Sequence, residues 1–443
     1  MTPHDGGASI GSGTSPGGRN VNPFLALRHR NFRLFFFGQL ISFAGTWMQR
    51  IAQAWLVLQL TNSPFLLGLV GALQWTPMLL LSLVGGVVAD RVNKRDLIVA
   101  TQTLQMLQAF ALGALVLSGH AQYWHILVFA TALGVTAAFD NPARQAFLFD
   151  MVEGTDTMNA VALNSTIVNS ARLFGPAIAG IATGTLGIGY AFVANGVSFI
   201  PVIGALLMMR LEPARRVDVG SGMVDHLRDG LAYLFRTPTA LQLLTLLGVY
   251  SIFVMNFNII VPVFAKNVLH EDATGFGLLT SAQGAGAVLG ALAIASMSSY
   301  GPHPGLVYGG AALLGVMVIV LGSVHQFTPA ALVLAGCGIS MVVFSATVNT
   351  ALQVTTPDAL RGRVMSVYSL VNGGFTPAGA IFTGGVAEVW GAPAELAISG
   401  LIALGSTLAV YRWHRRLPWT VEDAPAALAS ADPSPADGSG GER

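Results

Sequence analysis

Charge is what this chain has least of. Asp, Glu, Lys and Arg together make up 10% of its 443 residues, against about 25% in a soluble domain. With 53% hydrophobic residues, it could not cover its apolar surface with polar side chains in water, which excludes a soluble globular protein. There is a single cysteine, Cys337, set between Gly336 and Gly338. A disulfide within the chain is excluded, and a small packed thiol is the expected role. The first 22 residues are rich in Gly, Ser, Pro and Asn and lack the apolar core of a cleavable signal. No phosphate-binding Gly-x-x-x-x-Gly-Lys-[Ser/Thr] motif occurs, so ATP-driven chemistry in this chain is not expected. Paired Asp motifs at helix ends and His-rich metal spacings are missing too. The expectation is a protein that is not an enzyme and has no metal, cofactor or nucleic-acid partner.

Present instead are long apolar runs. Each is long enough to cross a bilayer as a helix. They fall at roughly 33–57, 65–88, 97–118, 123–143, 161–184, 189–210, 239–264, 275–297, 305–324, 328–350, 364–387 and 393–412. The fold class is therefore all-α integral membrane, with twelve transmembrane helices. The basic residues orient it. Arg28, Arg30 and Arg33, the cluster Arg91, Lys94 and Arg95, then Arg144, Arg210, Arg215, Arg216, Arg228, Arg236, Arg361, Arg363, Arg412, Arg415 and Arg416 all fall on the side of the two termini. Lys266 stands alone on the other side, and Arg50 and Arg172 fall inside spans. The positive-inside rule then predicts a multi-pass protein of the cell (inner) membrane with both termini cytoplasmic.

Five segments follow from this pattern. Residues 1–23 are a disordered head and 417–443 a disordered tail, both low in apolar content. Residues 24–212 form one six-helix bundle and 238–416 a second. Between them, 213–237 is a cytosolic linker, in which Leu227, Leu231, Leu234 and Phe235 recur at helical spacing, as in a short amphipathic helix lying on the membrane surface. The halves carry matching punctuation. Gly134, Phe139, Arg144 and Phe174-Gly175-Pro176 in the first correspond to Gly338, Phe344, Arg361 and Phe375-Thr376-Pro377 in the second. Such internal repeats mark transporters whose substrate site lies between the halves near the bilayer midplane.

The most specific stretch is Gly85-Gly86-Val87-Val88-Ala89-Asp90-Arg91-Val92-Asn93-Lys94-Arg95-Asp96, a charged loop between the second and third runs. Gly86-x-x-x-Asp90-Arg91-x-x-Lys94-Arg95 resembles the signature loop of the major facilitator superfamily, and the resemblance extends over about residues 24–415. Asn93 stands where the signature usually has Gly, a departure that Asn tolerates because it accepts a left-handed backbone. Gly175-Pro176-x-x-x-Gly180 is similar to the fifth-helix signature of the superfamily's exporters, with Ala171 and Ala179 in place of two glycines. Phe139-Asp140-Asn141-Pro142-Ala143-Arg144-Gln145-Ala146-Phe147 resembles the branch of enterobactin exporters and macrolide-efflux pumps.

The resemblance implies a gate. Asp90 is expected to face the start of the eleventh span, where Thr356 would cap a helix with Pro357 first and Asp358 next. A carboxylate at a helix N-terminus is favourable, and Arg91, Lys94, Arg95, Arg361 and Arg363 would complete a latch on the cytosolic side of the outward-facing state. Gly85 and Gly86 would let the second helix approach a neighbour. At Gly175-Pro176, a packing kink and a bend that seals one conformation both fit.

Charges inside the spans have two readings each. Arg50 and Arg172 either bond to carbonyls and neighbouring amides or make a cavity electropositive, favouring carboxylate, phenolate or catecholate groups. Asp140, placed near the inner end of span four, is either a structural ion pair with Arg172 or Arg144 or a proton-carrying group. Gln53 and Asn256 are candidate cavity walls. The function expected is a secondary active transporter, a monomer in the lipid bilayer. It would be a proton-coupled exporter of a bulky amphiphilic or anionic small-molecule substrate. An importer and a transport-dead sensor on the same fold are the alternatives.

Overall fold

The computed structural model describes residues 24–152, 156–209, 232–297, 301–417 and 419. The head, most of the tail and linker residues 213–231 lie outside the described residues, as does most of the proposed amphipathic pattern. Among the described residues there is no strand. The first half holds α1 (Arg30–Thr61), α2 (Pro64–Arg91), α3 (Lys94–Leu117), α4 (Tyr123–Asp150), α5 (Thr157–Leu186) and α6 (Ile188–Met208). The second holds α7 (Pro238–Phe253), α8 (Phe257–Asn267), α9 (Ala273–Ser296), α10 (Pro304–Ser323), α11 (Phe327–Thr355), α12 (Asp358–Gly374) and α13 (Thr376–Arg416). Among the described residues, 9 stretches are long and apolar enough to cross a membrane.

Local chemistry sets the boundaries. Asn62, left-handed at φ 50°, ends α1, and Ser63 caps α2 by accepting from the Leu66 N–H, with Pro64 as the first helical residue. Asn93 is extended, with φ −65°, and its side chain accepts from the Arg95 N–H. It serves as the N-cap of α3 and does not need the left-handed backbone expected of it. Thr356 also departs from expectation. Helix α12 begins at Asp358 after Pro357, and the buried Thr356 hydroxyl donates back to the Leu352 carbonyl at the end of α11. A hydroxyl offered a free helix-end carbonyl takes it, so Thr356 closes one helix and does not open the next.

Two expected spans are broken. The run 239–264 divides between α7 and α8, where the Asn256 amide donates to the carbonyls of Ser251 and Ile252. The run 364–387 divides at Phe375, just before Pro377, which has no N–H to continue the ladder. The breaks meet, because Gly379 lies against the Asn256 amide and the Ile252 carbonyl. Within α13 the backbone reverses at Gly391, with φ 82° and ψ 163°, a conformation that glycine adopts without strain.

Helices α1–α6 pack chiefly on one another, as α2 on α4, α1 on α5 and α6, and α3 on α4 and α6. The second set packs as α9 on α11, α10 on α11 and α13, and α7 on α13. The main contacts between the sets are α5 with α9 and α2 with α13, and α1 also touches α8 and α9. Cys337 is buried and free.

Candidate functional site

Between the two sets lies a cavity of about 330 Å³. Helices α1, α2 and α4 contribute most of its wall, and the α7–α8 break, α9 and α13 close the opposite side. Amides dominate its polar surface: Gln39, Gln53, Gln74, Gln102, Asn141 and Asn256 all line it. Gln53 Nε2 donates to Gln74 Oε1 across the wall at 3.3 Å, and Gln49, also on the wall, donates to Gln108 Oε1 of α3 at 2.9 Å.

Asp140 lines the same cavity and is 2% exposed. It was expected near the end of its span, but α4 continues to Asp150, which moves Asp140 inward. Arg144, expected in a cytosolic loop, is drawn into the same helix and lines the cavity too. Asp140 Oδ1 accepts from Thr101 Oγ1 at 2.7 Å and Gln102 Nε2 at 3.1 Å. Its Oδ2 pairs with Arg144, whose other terminal nitrogen donates to Gln39 Oε1. The Asp140 charge is thus compensated on both oxygens, with Arg144 as the partner.

Arg50 is different. It lines the cavity, its guanidinium sits 5.0 Å from the centre of the Trp47 ring, and it has no ion-pair partner among the described residues. Aromatic faces attract cations without neutralising them, so Arg50 keeps its charge available to a ligand. Arg172 does not line the cavity. Its side chain is exposed on α5 within electrostatic reach of Arg50, and its backbone carbonyl touches Gly284 of α9.

On the side away from the termini the sets are sealed together. Gly180 of α5 meets Gly277 of α9, and Gly68 of α2 meets Ala380 and Gly384 of α13. A Cβ at any of these crossings would collide with backbone, and small residues permit such close helix contact. Trp55 stacks on Phe276 between the seal and the cavity, with centroids 6.3 Å apart. Two clamps complete the seal. The Glu388 carboxylate accepts from Ser63 Oγ at 2.7 Å and from the Phe65 N–H at 3.1 Å, at the N-terminus of α2. Lys266 Nζ donates to the Leu58 carbonyl at 2.5 Å and to Asn62 Oδ1 at 3.0 Å, at the C-terminus of α1. Acid meets the positive end of one helix and base the negative end of the other. Sequence reasoning placed Lys266 on the outer side but gave it no gating role.

The termini side is organised differently. Asp90 and Arg91 are exposed, and no hydrogen bond or ion pair joins Asp90 to Thr356 or Asp358 among the described residues. Asp358 pairs with Arg361 at 2.5 Å, and Arg361 Nε donates to the Gln353 carbonyl. Lys94 pairs with Asp150 at 2.8 Å and Arg95 donates to the Leu207 carbonyl at 2.9 Å, so the loop's basic pair is held to α4 and α6. Gly85 packs tightly on the Ala138 carbonyl of α4, whereas Gly86 has open space beside it. Gly175 and Pro176 are buried within an unbroken α5, Gly175 against the Trp47 ring. Nearby, buried Asp156 pairs with His29 at 2.8 Å and Arg28 at 2.7 Å. The hydrogen bond from His29, with help from the Arg28 charge, holds its carboxyl below the usual carboxylate range.

Residues 21–435 match the family model of the transmembrane secretion effectors. The chain belongs to this family of the major facilitator superfamily. Its relatives include the staphyloferrin A transporter of Staphylococcus aureus, 25% identical over 402 residues that cover 88% of this chain and 98% of that protein. The multidrug efflux pump Tap of Mycolicibacterium fortuitum is 27% identical, over 85% of this chain and 94% of its own. The enterobactin exporter EntS of Citrobacter koseri is 25% identical, over 88% and 93%. Among solved structures, a bacterial homologue of the human lysosomal transporter Spinster, inward-facing and unoccupied, superposes with a TM-score of 0.67 at 14% identity, covering 91% of this chain and 100% of that one. The nucleoside transporter NupG superposes at 0.70 with 11% identity, over 86% and 98%. These structures speak to the fold alone. The chain is thus a multi-pass membrane transporter with exporter relatives.

Proposed function

We propose that this transporter is a proton-coupled exporter of a bulky amphiphilic or anionic small molecule, working as a monomer by alternating access. Its two bundles, 24–212 and 238–416, would each cross six times. Each of the two broken runs counts as one crossing, and the Gly391 reversal separates the last two. Both termini would be cytosolic in the inner membrane, so the sealed side is the outer one and the conformation is inward-facing. A substrate enters the cavity from the cytosol, the outer seal opens, and the latch forms from Asp90, Arg91, Lys94 and Arg95 with the start of α12. In that latch Gly86, free of neighbours here, gains one. The family relatives favour the outward direction over import, and the complete signature loop favours transport over sensing.

The observation that carries the substrate class is Arg50. It is a cation in an amide-lined, aromatic-walled cavity, stacked on Trp47 and with no protein anion paired to it among the described residues. A charge-assisted hydrogen bond to a ligand carboxylate is worth about 1.5–3 kcal/mol, or roughly 10–100-fold in binding. The test is uptake of a fluorescent anionic amphiphile into inside-out vesicles under an imposed pH gradient. Wild type should accumulate the dye. Arg50→Gln should lower the initial rate at limiting dye by about tenfold or more, with Arg50→Lys in between. Equal handling of anionic and cationic dyes by wild type and Arg50→Gln would remove the anion preference.

A further inference from the structure

A carboxyl outside the cavity stands out. Glu395 lies one turn beyond the Gly391 reversal on α13, is 2% exposed, and forms no ion pair among the described residues. Its Oε1 accepts from Ser399 Oγ at 2.9 Å. Its Oε2 faces the Thr383 hydroxyl on the first half of α13, yet neither of these two buried atoms has a hydrogen-bond partner of normal geometry among the described residues. Two orphaned polar atoms facing one another in an apolar setting are an incomplete site.

Among the described residues, no charged neighbour completes it. On α10, which packs on Glu395's turn through Gly322 against Pro393 and Leu396, the titratable group is Tyr308 at the opposite end. His325, just past α10, bonds to the Ser323 carbonyl. On α7 and α8, Tyr250 bonds to the Ala311 carbonyl and Thr407, and Lys266 is held by α1. On α13 itself, Glu388 is engaged at α2, and Tyr411, Arg412 and His414 lie at the far end. The charges of α2 and α12 (Asp90, Arg91, Asp358, Arg361 and Arg363) are likewise at the far side.

We propose that Glu395 is a proton-binding site of the second bundle, and that its occupancy sets the outer seal through Thr383. An ionised carboxyl offers only acceptors, whereas a protonated one also donates. Thr383 can meet either form by turning its hydroxyl. The consequence passes to the seal because Thr383 adjoins Gly384, which packs on Gly68 and the Pro64 carbonyl of α2. Glu395 lies one turn past Gly391, toward the face that the proposed orientation makes the outer one. As a positioning residue it would touch no substrate. This inference rests on the proton-coupled export proposed above.

The test uses full-length protein in nanodiscs, spin-labelled at His120→Cys and Gln326→Cys, both exposed on the outer side of opposite bundles, with buried Cys337 left in place. The distance between labels is measured from pH 5 to pH 9. Wild type should show a pH-dependent shift between two separations. Glu395→Gln should fix one separation at all pH values, and Glu395→Asp should keep the shift with a displaced midpoint. A Glu395→Gln profile that overlays wild type would overturn the proposal while leaving proton coupling intact. A wild type whose separation and flux are both insensitive to pH would overturn both. If Glu395→Gln does not yield folded protein, Glu395→Asp decides: an unmoved midpoint overturns the proposal.

Discussion

Asp140 and Arg144 lie one turn apart on α4 and face a cavity that would otherwise expose a bare charge to apolar surroundings. Each pairs with the other, Thr101 and Gln102 donate to the second Asp140 oxygen, and Gln39 accepts from the second terminal nitrogen of Arg144. Removing one member leaves the other uncompensated, which typically costs about 3–5 kcal/mol, whereas replacing both together is far milder. Asp140→Asn should therefore lower thermal stability in detergent markedly, and Asp140→Asn with Arg144→Gln should recover much of it. A double variant no better than the single one would show that the pair is not the reason for the loss. The contrast with Arg50 defines the site. One arginine is neutralised by its own helix, and the other is left to a ligand.

At the scale of elements, the chain's apolar runs and charge bias made the helices and their order legible, because a bilayer demands about twenty apolar residues per crossing. The breaks were harder to see. The α7–α8 break has no Gly or Pro at its point; it depends on the Asn256 side chain taking backbone carbonyls. The depth of Asp140 was misjudged because Pro142 and Arg144 read as a helix end, while the helix ran through them. Glu395 was overlooked although it is an acid within an apolar run, which is itself the signal of an intramembrane functional residue. The cavity was legible only in part: Arg50, Asp140, Arg144, Gln53 and Asn256 line it and Arg172 does not. Which of two arginines on neighbouring helices turns inward depends on packing that periodicity does not specify.

Asp156 belongs to this scale too, because it ties the segment before α1 to the start of α5. Arg28 and His29 meet its carboxylate, and the Ala26 N–H donates to Asn159. Its carboxyl is held below the ordinary range by His29 and Arg28, so its contribution to stability is complete above an unfolded-state pKa of about 4 and is lost as pH falls through the lowered native value. Asp156→Asn should melt earlier than wild type at neutral pH, and the difference should shrink as pH drops below about 4. A difference constant down to pH 3 would mean that the pairing contributes no pH dependence.

For the whole molecule, the side away from the termini is closed by backbone contact and two helix-end clamps, while on the termini side Asp90 has no hydrogen bond or ion pair among the described residues. An alternating mechanism requires these to exchange. Asp90→Asn should leave membrane expression and dye binding intact while reducing flux by about tenfold or more, since the latch matters only in the state not seen here; roughly 1.4 kcal/mol of lost latch energy suffices. Unchanged flux in that variant would remove the latch.

The most direct test of the account is to lock the seal. Cysteines at Ser63 and Glu388, joined by a short reducible thiol cross-linker, would hold α2 to the first half of α13. Export in proteoliposomes should stop on cross-linking and return on reduction, while binding of the dye from the cytosolic side persists. Export that continues through a quantitatively cross-linked seal would contradict alternating access through this face.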